Sequence, residues 1–187
     1  ISAEESEKLT AFDDMTLVDL IVKKGEDALN DLPDAVKHNQ DATAETIENN
    51  VRRLIIDEMP TNPKYYQRMS ELLDELVKQR KRSDIEYKAY LAKLVEFSKQ
   101  VNNPEQSKYY PQNINSRGKQ ALYDNLGKDT NKAMEVHDAI MDSRQDAWRG
   151  NPLKERAIKI GIKKSVNGIS TEEIDDILEI IKNQNEY

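Results

Sequence analysis

Hydrophobic positions recur along most of the chain at the spacing of an α-helix face. Leu17, Leu20, Ile21 and Ala28 make an apolar stripe that stops before Pro33, and Ile47, Val51, Leu54 and Ile55 follow the i, i+4, i+7, i+8 pattern of one helix side. Pro60 and Pro63 bracket a short connection. Asn62-Pro63 is a start signal, with Asn as cap and Pro at the first helical position. The spacing predicts a helix over about 63–82, with Tyr66, Met69, Leu73, Leu76 and Val77 on one side. Ser83-Asp84-Ile85-Glu86 matches a capping box and is expected to open a helix carrying Tyr87, Tyr90, Leu91, Leu94, Val95 and Val101. Joined by one or two residues, these two helices are expected to form an antiparallel hairpin.

Asn-Asn-Pro and Tyr-Tyr-Pro break the pattern over 102–115, which predicts a loop. Ser116 can cap a short helix that ends at Gly127, a residue suited to a left-handed C-terminal cap. A helix follows from Asp129 to about Gln145, with Ala133, Val136, Ile140 and Met141 inward. Gly150-Asn151-Pro152 reads as a stop and a new start, and Ser170-Thr171-Glu172-Glu173 as a second capping box before Ile174, Ile177, Leu178 and Ile181. The expected fold class is all-α: about eight amphipathic helices in a bundle-like domain, with no significant sheet.

Composition narrows the function classes. The 187 residues contain no cysteine, which removes disulfides, thiolate metal sites and cysteine nucleophiles and fits a reducing cytoplasm. His38 and His137 stand far apart, against a zinc site on neighbouring histidines. No apolar run reaches the length of a membrane span, so a cytoplasmic protein with no membrane partner is expected. The start at Ile1 without Met suggests a fragment or a processed product. The net charge of −7 argues against nucleic-acid binding by the whole surface, but the charge is uneven. Residues 1–62 hold 6 basic and 15 acidic side chains, 63–168 hold 21 and 14, and 169–187 hold 1 and 6. This divides the chain into an acidic helical lead-in, 1–62, and a C-terminal helical assembly domain, 63–187, with a single continuous domain over 1–187 as the alternative.

Catalytic signatures are missing. Gly118-Lys119-Gln120 and Gly127-Lys128-Asp129 lack the rest of a phosphate loop, and no nucleophile elbow, zinc motif or strand-borne acidic cluster occurs. Acidic pairs such as Glu71 with Glu75 and Asp138 with Asp142 read as solvated helix faces. Four features stay open between a bland and a functional reading. Lys78-Gln79-Arg80-Lys81-Arg82 either offsets a helix macrodipole or contacts phosphates. Tyr65-Tyr66 and Tyr109-Tyr110 either stack bases or, since adjacent aromatics on a helix face different directions, each place one ring in the core and one at an interface, which is the expected arrangement. Trp148 is a core anchor or a ligand platform. Arg149 to Lys164 holds six basic residues against Glu155 alone, a stretch fit for nucleic acid or an acidic protein.

The order of several segments is more specific than any one of them. Ile47-Glu48-Asn49-Asn50-Val51-Arg52-Arg53, Asn62-Pro63-Lys64-Tyr65-Tyr66-Gln67-Arg68-Met69-Ser70-Glu71-Leu72-Leu73, Tyr87-Lys88-Ala89-Tyr90-Leu91, Tyr109-Tyr110-Pro111, Ala121-Leu122-Tyr123-Asp124-Asn125-Leu126-Gly127 and Trp148-Arg149-Gly150-Asn151 together resemble the C-terminal region of restriction (R) subunits of type I restriction-modification enzymes. The ending, Lys182-Asn183-Gln184-Asn185-Glu186-Tyr187, is similar to the end of such subunits. The resemblance runs from about residue 45 onward, and more weakly before it through Phe12-Asp13-Asp14-Met15 and Leu32-Pro33.

The resemblance implies a parent protein that is an ATP-dependent DNA translocase and endonuclease, with nuclease and motor motifs upstream and ATP and magnesium bound there. No catalytic or metal residue carries over, so this part is expected to be non-catalytic and without a cofactor. It implies docking onto the modification and specificity subunits, with Tyr109, Tyr110, Arg117, Trp148, Arg149 and Asn151 as candidate partner-binding residues. The alternative is a clamp on duplex DNA, with Lys78, Arg80, Lys81, Arg82, Lys154 and Arg156 as candidate contacts. An unrelated helical scaffold is the third reading.

Overall fold

The computed structural model describes residues 17–31, 38–104 and 109–187. Phe12-Asp13-Asp14-Met15 and Leu32-Pro33 lie outside the described residues. Within them the regular structure is all helical, without a strand. Eight α-helices are present: α1 Leu17–Lys24, α2 Gln40–Glu58, α3 Pro63–Lys81, α4 Tyr87–Asn102, α5 Arg117–Asn125, α6 Thr130–Ser143, α7 Pro152–Ser165 and α8 Thr171–Lys182. Short 3-10 segments occupy Gly25–Asp31 and Met59–Thr61. Two compact units are interleaved along the chain: Ile1–Ile55 with Met69–Asn103, and Ile56–Arg68 with Pro104–Tyr187. Contacts therefore do not divide the chain at residue 62, where its charge changes sign.

In the first unit α1 packs on α4 and on the Gly25–Asp31 segment, burying Leu17, Leu20, Ile21 and Ala28. The stripe expected to continue through one helix is broken at Gly25, whose φ of +62° an L side chain adopts only with strain. Arg80 reaches Asp41 and Glu48 while Asp74 pairs with Arg52, so rising numbers on α2 meet falling numbers on α3. The two helices run antiparallel there. Glu48 is only 7% exposed, and its charge is held by the Arg80 fork at 2.8 and 3.3 Å and by the Tyr90 hydroxyl. Burial opposes the charge on Arg80, yet the Glu48 bond prevails and raises its pKa. Burial and the same carboxylate push the Tyr90 phenol well above its ordinary range.

The second unit is a closed set of helices. α5 packs on α6, α6 on α7, α7 on α8, and α8 returns to α5 and to the Met59–Thr61 segment. Between them lie Leu122, Val136, Ile140, Trp148, Ile158, Ile162, Ile177 and Ile181. Ser116 and Asn151 act as expected, each accepting from backbone N–H groups of the first turn, and Ser170 with Glu173 forms a complete capping box. Asp129, expected inside its helix, instead caps α6 by accepting from Lys132 N–H. Gly127, at φ +76°, closes α5 with a Lys128 N–H to Tyr123 carbonyl bond. Gly161 sits where a Cβ would come within 2.7 Å of the Ser143 side chain, so only glycine permits this approach of α7 to α6.

Several local expectations are corrected. Ser83 does not cap α4. It takes φ +58° and closes α3, with Ser83 N–H to Arg80 and Asp84 N–H to Gln79, the bond pair of a Schellman motif. Having served as the C-terminal cap of α3, it is unavailable as an N-cap, and α4 begins later, at Tyr87, behind Glu86 with no side-chain cap. Residues 82–86 thus separate the two helices, a longer connection than one or two residues. Met141 is 40% exposed rather than inward. Tyr65 and Tyr66 are both buried, with rings edge-to-face at 5.1 Å, because the entry to α3 is itself enclosed, Asn62 being 6% exposed.

Candidate docking surface

Of the segments that carry the resemblance, Asn62-Pro63, Tyr109-Tyr110, Asp124-Asn125, Trp148-Arg149 and the ending 182–187 lie in the second unit at two hydrogen-bonded clusters, whereas residues 47–53 and 87–91 belong to the first unit. The first surrounds Asp124. Asn62 caps α3 by accepting from Tyr65 N–H at 3.3 Å, and its Nδ2 donates to Asp124 Oδ2 at 2.8 Å. The Tyr110 hydroxyl donates to the same oxygen at 2.6 Å, and Asn125 Nδ2 donates to Asn62 Oδ1 at 2.9 Å. Burial, then the Asp124 carboxylate, pushes the Tyr110 phenol far above its ordinary range, so it stays a donor. Tyr109 beside it is 78% exposed, the division of roles expected for adjacent aromatics.

The second cluster is a clasp on the segment after α8. Arg149 donates through Nε to the Lys182 carbonyl at 3.1 Å, and through Nη2 to the carbonyls of Gln184 and Tyr187, each at 2.5 Å. Its guanidinium lies 4.8 Å from the Trp148 ring centroid. Trp148 is 3% exposed and donates its indole N–H to the Tyr187 main-chain oxygen at 3.3 Å. Arg144 holds the Glu186 carbonyl at 3.2 Å. The Glu186 side chain crosses to the start of α5, accepting from Ser116 Oγ at 2.9 Å and Gly118 N–H at 3.0 Å. A helix N-terminus suits a carboxylate, since unsatisfied N–H groups and the macrodipole both favour negative charge there.

Tyr187 completes the clasp. Its phenol lies 2.8 Å from His137 Nδ1 and is pushed well above its ordinary range by burial. Burial also lowers the His137 pKa, so a neutral imidazole shares a hydrogen bond with the protonated Tyr187 phenol.

The remaining candidates scatter. Asn151 is the α7 cap, bonded to the N–H groups of Leu153 and Lys154. Arg117 Nη1 lies 3.7 Å from Glu58. Arg80 is committed to Glu48 and Asp41, whereas Lys78, Lys81 and Arg82 are exposed at the end of α3. Lys154 donates to the Asp146 carbonyl at 2.6 Å, and Arg156 is exposed on α7. Spacing alone overlooks Asp124, Arg144, Glu186 and Tyr187, because each acts across a gap in sequence and none belongs to a periodic pattern.

Among the described residues no group of three or more His, Asp or Glu side chains is arranged to hold a metal ion, and no helix is long and apolar enough to cross a membrane. No family model, no curated protein and no solved structure matches the chain.

Proposed function

We propose that this chain is the helical C-terminal domain of a type I restriction-modification R subunit, docking the DNA-translocating motor onto the modification and specificity subunits. The observation that carries the reading is convergence. Asn62-Pro63, Tyr110 and Asp124-Asn125, far apart in sequence, share one hydrogen-bonded cluster, while Trp148-Arg149 closes on 182–187. These five stretches, widely spaced in sequence, build one compact unit, as expected if they belong to one docking domain, while residues 47–53 and 87–91 lie in the first unit. In this reading the domain performs no chemistry; ATP, magnesium and the nuclease site belong to upstream parts of the parent protein.

Co-purification with the modification and specificity subunits of the same operon tests it. A stable complex at moderate salt is the expected result, and failure to associate under conditions where those subunits assemble with one another would refute it. A second reading, a clamp on duplex DNA, is favoured by one observation: the Lys78, Lys81 and Arg82 side chains are exposed and make no ion pair among the described residues. Duplex binding that weakens steeply with salt, and whose salt slope falls in Lys81→Ala plus Arg82→Ala, would support the clamp.

A further inference from the structure

Helix α7 is apolar on two opposite sides. Ile158 and Ile162, both fully buried, face the core of the second unit. At 100° per residue, Leu153 and Ile160 point the other way, on a stripe shared with Arg156 and Lys164. Leu153 is 79% exposed and Ile160 43% exposed, so two large aliphatic side chains lie in solvent on one face. The stripe runs about 16 Å from Leu153 to Lys164 at the helical rise.

Charge says what covers it. Of the basic residues from 149 to 164, four are engaged within the unit: Arg149 and Lys154 on carbonyls, Lys159 on Asp175 at 2.7 Å, and Lys163 on the Ile169 carbonyl at 2.7 Å. Arg156 and Lys164, which flank Leu153 and Ile160, make no ion pair or side-chain hydrogen bond among the described residues. Glu155 is turned away, bonded to Gly150 N–H and paired with Lys182 at 3.2 Å. The outward face therefore offers apolar contact with two uncompensated cations and no anion.

We infer that the Leu153–Arg156–Ile160–Lys164 face of α7 docks an acidic amphipathic helix of a partner protein. Apolar residues of the partner would cover Leu153 and Ile160, and its carboxylates would meet Arg156 and Lys164. A second copy of the stripe does not fit, since it would set the same cations against each other. Duplex DNA would use the cations but leave Leu153 and Ile160 against phosphates, where they contribute nothing. The inference deepens the docking reading and rests on it only for which protein supplies the helix.

The test uses the full chain and a fluorescein-labelled synthetic amphipathic peptide with a leucine stripe flanked by glutamates, followed by fluorescence anisotropy. Saturable binding is expected. It should weaken about tenfold or more in Leu153→Ser plus Ile160→Ser, and comparably in Arg156→Glu plus Lys164→Glu, as for central interface contacts. A peptide with lysines in place of the glutamates should bind the wild-type chain far more weakly. All four positions are exposed, and unchanged melting of the variants confirms that folding is intact. No binding of the glutamate peptide, or binding that both variants leave unaltered, overturns the proposal. So does duplex DNA binding that the charge reversal abolishes and the serine variant leaves intact, which would assign the face to nucleic acid. The failures are separable. A chain that joins the modification and specificity subunits regardless of these variants keeps the docking reading and loses this face. A chain that binds the acidic peptide but not those subunits does the reverse.

Discussion

Arg149 holds Tyr187 by its main chain: guanidinium Nη2 donates to the Tyr187 carbonyl at 2.5 Å and shares itself with the Gln184 carbonyl at the same distance. A residue of the type enriched at interface hot spots is here exposed yet committed by hydrogen bonds to its own chain, with its guanidinium over the Trp148 ring.

Arg149→Ala is accordingly expected to destabilise the second unit. Charge-assisted bonds to three carbonyls are lost, and about 1–3 kcal/mol is the corresponding range. Chemical denaturation measures the loss, and hydrogen exchange should show faster exchange confined first to 183–187. Arg149→Lys should recover only part of the stability, because an ammonium lacks the planar fork. Unchanged stability and exchange in Arg149→Ala would show that the clasp contributes nothing.

Gly118 tests the other side of the clasp. A Cβ there would come within 2.7 Å of the Tyr187 ring and would also meet the Glu186 carboxyl, so Gly118→Ala should displace the segment after α8. A loss of about 1–3 kcal/mol is expected for such overpacking, despite the better helix propensity of alanine. Thermal melting reads the stability, and the ring signals of His137 should shift as Tyr187 moves away.

In the first unit, Glu48→Ala would leave Arg80, whose side chain is 11% exposed, with only the exposed carboxylates of Asp41 at 2.8 Å and Glu45 at 3.9 Å as partners. Destabilisation of about 3 kcal/mol is expected, the lower end for a broken buried ion pair. A double-mutant cycle with Tyr90→Phe should show coupling, since the Tyr90 hydroxyl donates to the same carboxylate. Additive effects would mean that the three groups do not act as a network.

Stability should fall with acid in two windows. The folded pKa of His137 lies below its ordinary 6.5, through burial that outweighs Glu186. As pH drops through 6.5 the unfolded chain takes up the proton first, so stability declines until the folded imidazole titrates as well. Glu173 is depressed below 4.5, chiefly by the Lys132 hydrogen bond; its contribution is present above that value and is lost as pH falls through the folded pKa. Denaturant midpoints against pH check both windows, and His137→Asn should remove the upper one alone.

The sequence by itself determined the helices, because helix formation depends on short-range signals. Asn62-Pro63, Ser116, Gly127, Asn151-Pro152 and Ser170 with Glu173 each satisfy or terminate backbone groups within a few residues of themselves. Where two local signals competed, only the fold decided between them. Ser83 matched an N-cap on spacing, but closing α3 required a left-handed residue at that position, and the start of α4 moved to Tyr87. Tertiary structure alone decided which polar residues serve the fold and which remain for a partner. Arg80 and Arg149 look in the sequence like their neighbours Arg82 and Arg156. Yet Glu48, from far along the chain, neutralises the first, and carbonyls of the segment after α8 occupy the second. Such pairings join residues more than thirty positions apart, as with Glu48 and Arg80 or Arg149 and Tyr187, and no helical period encodes them. The same holds for Leu153 and Ile160: periodicity marks them as apolar, and only the packing of Ile158 and Ile162 on the opposite side leaves them facing solvent.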